Sequence, residues 1–203
     1  MTRKLDGGRL LVATHNQGKL EEIAALLGPL GVTVTGAAEM DLPEPEETGT
    51  TFVENARIKA HAAARATGLP ALSDDSGLEV DALKGAPGVY TADWAETGFG
   101  RDFGMAMEKT YRLITETGAP EPWTARFCCT LVLAWPDGHD EVFPGHVPGR
   151  LTWPMRGDQG HGYDPIFIPD GHEVTFGEMD RWSKNEMSHR ADAMRKFVTA
   201  CFG

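Results

Sequence analysis

The sequence predicts an α/β protein built on a mixed central β-sheet flanked by helices. Three observations carry that expectation. Apolar runs of strand length alternate with amphipathic stretches of helix length, a Pro-Asp-Gly turn at 136–138 separates two β-rich runs, and an amphipathic helix pattern closes the chain.

Residues 9–14 (RLLVAT) form a buried strand pattern, and 19–27 (KLEEIAALL) a helix with Leu20, Ile23, Ala24 and Leu27 on one face. Thr51-Phe-Val-Glu54 has the form of a capping box, so a helix is expected through 56–67 until Gly68 and Pro70 stop it. Residues 71–73 predict a short strand running into an acidic turn, Asp74-Asp75-Ser76-Gly77. A helix over 102–117 ends at Gly118 and Pro120. The runs 124–135 and 141–152 predict a β-hairpin. Residues 188–201 place Ala191, Met194, Phe197 and Val198 at helical spacing, with Ser188 as the expected N-cap of that last helix.

With 203 residues, no internal repeat and no linker, a single domain spanning 1–203 is expected. The apolar fraction of 41% and charged fraction of 24% are ordinary for globular chains, and no apolar run is long enough to span a bilayer. No export signal is visible at the N-terminus, and the three cysteines lack metal-ligand spacing, so a reducing cytoplasm is the expected setting, with no membrane partner. A net charge of −11 disfavours nucleic-acid polymers as partners, because they demand neutralisation of many phosphates. A small polyphosphate needs only a few placed cations and N–H groups.

The segment Thr14, His15, Asn16, Gln17, Gly18, Lys19 joins the first strand to the first helix, where backbone N–H groups and a lysine are available to an anion. It departs from the P-loop, since Lys19 is followed by Leu20, and an ordinary strand-to-helix turn has the same outline. Asp74 and Asp75 supply carboxylate oxygens of the kind magnesium takes, and Glu46-Glu47 is a second acidic pair ahead of the capped helix. The stretch from Gly160 to Phe167 combines glycines, an aromatic, a carboxylate and a proline, suited to a base pocket or to a structural turn. Lys184, His189 and Arg190 lie downstream.

Together these stretches resemble the inosine triphosphate pyrophosphatase family. The likeness runs through Thr14-His-Asn-Gln-Gly-Lys19, Glu46-Glu-Thr-Gly49 with Glu54-Asn-Ala56, Asp74-Asp-Ser-Gly-Leu78, Gly85-Ala-Pro-Gly-Val-Tyr90, Gly162-Tyr-Asp-Pro-Ile-Phe167 and Ser188-His-Arg-Ala191, in the family's order. The resemblance implies two lobes with the active site in the cleft between them. It also implies magnesium-dependent hydrolysis of non-standard purine nucleoside triphosphates (ITP, dITP, XTP) to the monophosphate and pyrophosphate. Asp75 would hold the metal and act as general base, with Glu46 or Glu47 as a further ligand. The segment from Thr14 to Lys19 would grip the triphosphate, with Lys59 adding positive charge. Ser76 would contact the nucleotide, and His161, Gly162, Tyr163 and Asp164 with Lys184, His189 and Arg190 would enclose the base. A homodimer is implied as well. Two positions depart from the family: His161 stands where a large aromatic is usual, and Asp93 where arginine is frequent. A pyrophosphatase for modified pyrimidine nucleotides and a non-catalytic nucleotide sensor remain the alternatives.

Overall fold

The computed structural model describes residues 3–5, 7–15 and 17–203. In chain order the elements are β1 (Gly8–Val12), α1 (Gln17–Leu27), β2 (Val32–Gly36), α2 (Phe52–Thr67), β3 (Ala71–Val80), β4 (Glu96–Thr97), β5 (Gly100–Arg101), α3 (Phe103–Thr117), β6 (Trp123–Ala134), β7 (Asp140–Leu151), β8 (Phe167–Pro169), α4 (Arg181–Met187) and α5 (His189–Phe202). Six strands form one sheet in the order β2-β1-β3-β6-β7-β8, while β4 and β5 make a separate small ribbon. β1 runs parallel to both β2 and β3, whereas β7 and β8 are antiparallel, so the sheet is mixed as expected. Among the described residues no helix is long and apolar enough to cross a membrane.

The chain divides into two compact units. The first comprises 1–75, 130–144 and 193–203, the second 76–129 and 145–192. In the first, Leu10, Leu11 and Val12 make β1 an apolar run, as a strand with parallel neighbours on both sides requires. α2 packs there through Ala56, Ala60, Ala63 and Ala64 at helical spacing, with Leu11, Ala71, Val132 and Ala134 in the same core. In the second unit, Leu78, Val80, Ala106, Ile114, Phe127, Phe167 and Phe176 share one core.

The helix signals hold. Thr51 Oγ1 accepts the Glu54 N–H while Glu54 returns to the Thr51 N–H, completing the capping box, and Gly68 ends α2 in the left-handed conformation. Asp102 caps α3, and Gly118 closes it. The hairpin turn forms where expected, with Trp135 N–H on the His139 carbonyl at 2.9 Å.

The acidic turn does not form. Asp74, Asp75, Ser76 and Gly77 lie within β3, which runs on through Val80 because Leu78 and Val80 are needed, fully buried, in the second unit's core. Burial of those two side chains outweighs the local turn preference of the Asp-Ser-Gly sequence. β2, α4 and the β4–β5 ribbon were not anticipated, and α1 starts two residues earlier than its apolar pattern, at Gln17.

Candidate functional site

Two clusters of the singled-out residues form, one in each unit. The first centres on β3. Lys19, in the first turn of α1, places its ammonium 2.9 and 3.2 Å from the two carboxylate oxygens of Asp74. α1 begins at Gln17, so the positive end of its dipole lies at this segment. Thr14 is half-buried, with its N–H on the Val12 carbonyl at 2.8 Å, and the exposed His15 meets the Leu42 carbonyl at 3.0 Å. His15 and Lys59 line one hollow of about 110 Å³ with Ala13, Leu42 and Ala63. Asn16 lies outside the described residues.

Asp75, the next residue along β3, accepts a hydrogen bond from Asn55 Nδ2 at 3.2 Å. Burial pushes its pKa up to about 6; Lys59 and Asn55 oppose that rise, and the negative charges of Glu47 and Asp74 add to it. Lys59 in turn holds Glu47 at 2.8 Å. Burial works against the Lys59 ammonium, yet the Glu47 hydrogen bond and the surrounding carboxylates raise its pKa. Of the two glutamates, both exposed, Glu47 is the one that pairs with Lys59 and adds to the rise at Asp75. Among the described residues no three His, Cys, Asp or Glu side chains converge in a ready metal cage.

The second cluster is built on the 160–164 segment. Gly160 sits at φ +77°, and a Cβ there would fall 2.1 Å from an Asp164 oxygen, so the turn requires glycine on both counts. Asp164 is 2% exposed; it accepts the His161 N–H at 2.6 Å and pairs with the Lys184 ammonium. Tyr163 is 1% exposed, meets Phe103 edge-on at 5.9 Å, and donates its hydroxyl to the Thr91 carbonyl at 3.0 Å. Burial raises that hydroxyl's pKa, which keeps it a donor. Tyr163 and Asp164 thus frame the segment from inside, whereas His161 is exposed and Gly162 half-buried.

Lys184 sits on α4, whose N-terminus Asp180 caps through the Trp182 and Ser183 N–H groups, and its ammonium lies 5.5 Å over the Phe176 ring. Ser188 accepts the Ala191 N–H at 3.1 Å, the expected N-cap of α5, and so sets His189 and Arg190 in that helix's first turn. The His189 imidazole stacks on Phe127, with centroids 5.1 Å apart and planes 17° from parallel. Ser76 is half-buried at the start of the second unit's share of β3.

Sequence reasoning missed three supports. Asn55 carries a hydrogen bond to Asp75, Phe127 lies under His189, and Thr91 receives Tyr163 while its own hydroxyl takes the Leu78 N–H at 2.9 Å. Only for Asn55 was there a usable signal. A capping box fixes the helix start, which places a polar residue at the fourth position after the cap within reach of the following strand.

A sequence model described as the Ham1 family matches residues 10–200. The chain is 70% identical over 203 residues, the full length of both, to the dITP/XTP pyrophosphatase of Ruegeria pomeroyi. It is 59% identical to the dITP/XTP pyrophosphatase of Agrobacterium fabrum, with 98% of each chain covered. Among solved structures, a HAM1 protein from Coxiella burnetii superposes with a TM-score of 0.89 at 36% identity, over 94% of this chain and 96% of that one. A nucleoside-triphosphatase / dITP/XTP pyrophosphatase from Mycobacterium abscessus gives 0.78 at 34% identity, over 94% and 98%.

Proposed function

The chain belongs to the Ham1 family, and from that premise we propose that it hydrolyses non-standard purine nucleoside triphosphates (ITP, dITP, XTP) to the monophosphate and pyrophosphate. The observation that carries the chemistry is the cluster of Lys19, Lys59, Asp74 and Asp75, two cations among carboxylates with one carboxyl held near pH 6. The names of the relatives supply the substrate class.

Asp75 takes a proton from the attacking water. The water oxygen bonds to phosphorus, the bond between the α- and β-phosphates breaks, and the electron pair leaves on pyrophosphate. A carboxylate oxygen within reach of a water can accept that proton. The first turn of α1, with Lys19 and the preceding Thr14, His15 and Asn16, holds the phosphate end, and Lys59 adds charge beside it. Magnesium fits the donor set, since it takes one or two protein carboxylates and fills its shell with phosphate oxygens and water. Asp75 and Glu47 would hold it, with Glu46 next along the segment, and when bound it neutralises phosphate charge.

We assign recognition of the base to the 161–164 segment, α4 and the start of α5. His161 offers its ring as a platform; Lys184, His189 and Arg190 are donors for the 6-oxo group of inosine or xanthosine, where adenine presents an amino donor instead. Ser76 contacts the nucleotide, and Gly162, Tyr163 and Asp164 shape the enclosing segment. The enzyme works as a homodimer in the cytoplasm, cleansing the nucleotide pool.

The test is product analysis after incubation with magnesium and the triphosphates of inosine, xanthosine, guanosine, adenosine and a pyrimidine nucleoside. Pyrophosphate and monophosphate mainly from the first two are expected. Orthophosphate, or a pyrimidine preference, would overturn the assignment.

A further inference from the structure

Asn55 is 3% exposed, among the few polar side chains shut inside the protein. Both ends of its amide are engaged. Oδ1 accepts the Gly49 N–H at 2.8 Å, and Nδ2 donates to Asp75 Oδ2 at 3.2 Å. The orientation follows from chemistry: a backbone N–H can only donate, so the oxygen must face Gly49 and the NH2 must face the carboxylate.

The surroundings leave this side chain little freedom. The capping box fixes the first turn of α2, where Glu54 Oε2 also takes the Thr50 N–H at 2.8 Å. At Gly49 a Cβ would lie 2.6 Å from Asn55 Oδ1 and 2.6 Å from the Glu54 Cβ, so only glycine lets the segment carrying Glu46 and Glu47 approach so closely. One residue along the helix, the Ala56 carbonyl receives the Ser73 hydroxyl at 2.5 Å, which ties α2 to β3 a second time.

We infer that Asn55 is a positioning residue for the proposed hydrolysis, a two-ended bracket that fixes the Asp75 carboxylate and the Glu46–Glu47 segment relative to each other. The role rests on Asp75 being the group that activates water. A directed donor on a carboxylate fixes the direction in which that carboxylate faces, and loss of that direction acts on turnover more than on nucleotide affinity. If Asn55 served only to pin α2 to β3, the Ser73 hydroxyl would share that duty, and removing either would have the same kind of effect.

The test compares the parent with Asn55→Ala, Asn55→Asp and Ser73→Ala. Asn55→Asp keeps the volume and the acceptor for Gly49 while losing the donor to Asp75, so it stays informative if Asn55→Ala fails to fold. Measured quantities are kcat and KM for inosine triphosphate, Tm, and the affinity of the nucleotide-free protein for manganese(II), followed by electron paramagnetic resonance. Expected are a fall in kcat of at least tenfold with KM within threefold for both Asn55 variants. Ser73→Ala should lower Tm with kcat within twofold of the parent. Manganese should bind more weakly to Asn55→Ala and more tightly to Asn55→Asp, which adds a carboxylate beside Asp75. Asn55 variants that keep the parent's kcat, or losses that track Tm across all three variants, would overturn the role alone. A parent that releases no pyrophosphate would overturn the reaction and the role together.

Discussion

Lys184 and the buried carboxylate of Asp164 form an ion pair within the second unit, and the oxygen that pairs with the ammonium also receives the His161 N–H. One enclosed oxygen thereby sets both a cation on α4 and the start of the 161–164 segment.

Removing one member of such a pair leaves a buried charge without compensation, which typically costs about 3–5 kcal/mol. Lys184→Met is expected to lower the unfolding free energy by an amount near the lower end of that range, because Asp164 keeps the His161 N–H. Urea titration measures it, and a loss under about 1 kcal/mol would place the pair among weak surface contacts.

Asp75 gives a pH signature of defined sign. Its folded-state pKa of about 6 lies above its ordinary 3.8, so the neutral form is favoured by folding. The associated stability is fully present below about pH 4 and is lost as pH rises through 6, by about 1–3 kcal/mol in metal-free protein. Asp75→Asn should abolish that slope in thermal melts from pH 4 to 8, melt higher than the parent at pH 8, and retain under a thousandth of the parent's turnover. Equal turnover would remove Asp75 from the mechanism.

Lys19→Ala deletes the cation at the N-terminal end of α1. KM for the triphosphate should rise about tenfold or more, with a smaller change in kcat, because ground-state charge neutralisation is what is lost. An unchanged KM in steady-state kinetics would mean that the phosphates bind elsewhere.

Arg190→Met keeps side-chain bulk and deletes the donors. The preference for inosine over adenosine triphosphate, as a ratio of kcat/KM, should shrink at least tenfold. A ratio left intact would pass base selection to Lys184 and His189.

What could be foreseen from sequence was local in origin. The capping box at Thr51 and Glu54, the glycine stops at Gly68 and Gly118, and the 136–138 turn each depend on a few adjacent residues, and each formed. The course of β3 was misjudged, because the demand for Leu78 and Val80 in a core arises from residues distant in sequence, Phe127 and Phe176 among them. β2 alternates valine and threonine for only four residues before Gly36, and α4 is seven residues long, too short for periodicity to declare it. In the same way, site residues were singled out by their type and by the motifs that carry them. Asn55, Thr91 and Phe127 act through partners 20, 72 and 62 residues away, and composition carries no trace of that.

Lys19 and Lys59 each rest against a carboxylate, Asp74 and Glu47 respectively. A polyanion entering this region therefore meets no bare ammonium; it must compete with an internal rival for each one. Arrival disengages an internal ion pair, and departure restores it. Such competition loosens the grip on every phosphate species, and it does so most usefully for the product, since a Coulombic trap tight enough to capture pyrophosphate outright would also retain it after each turnover.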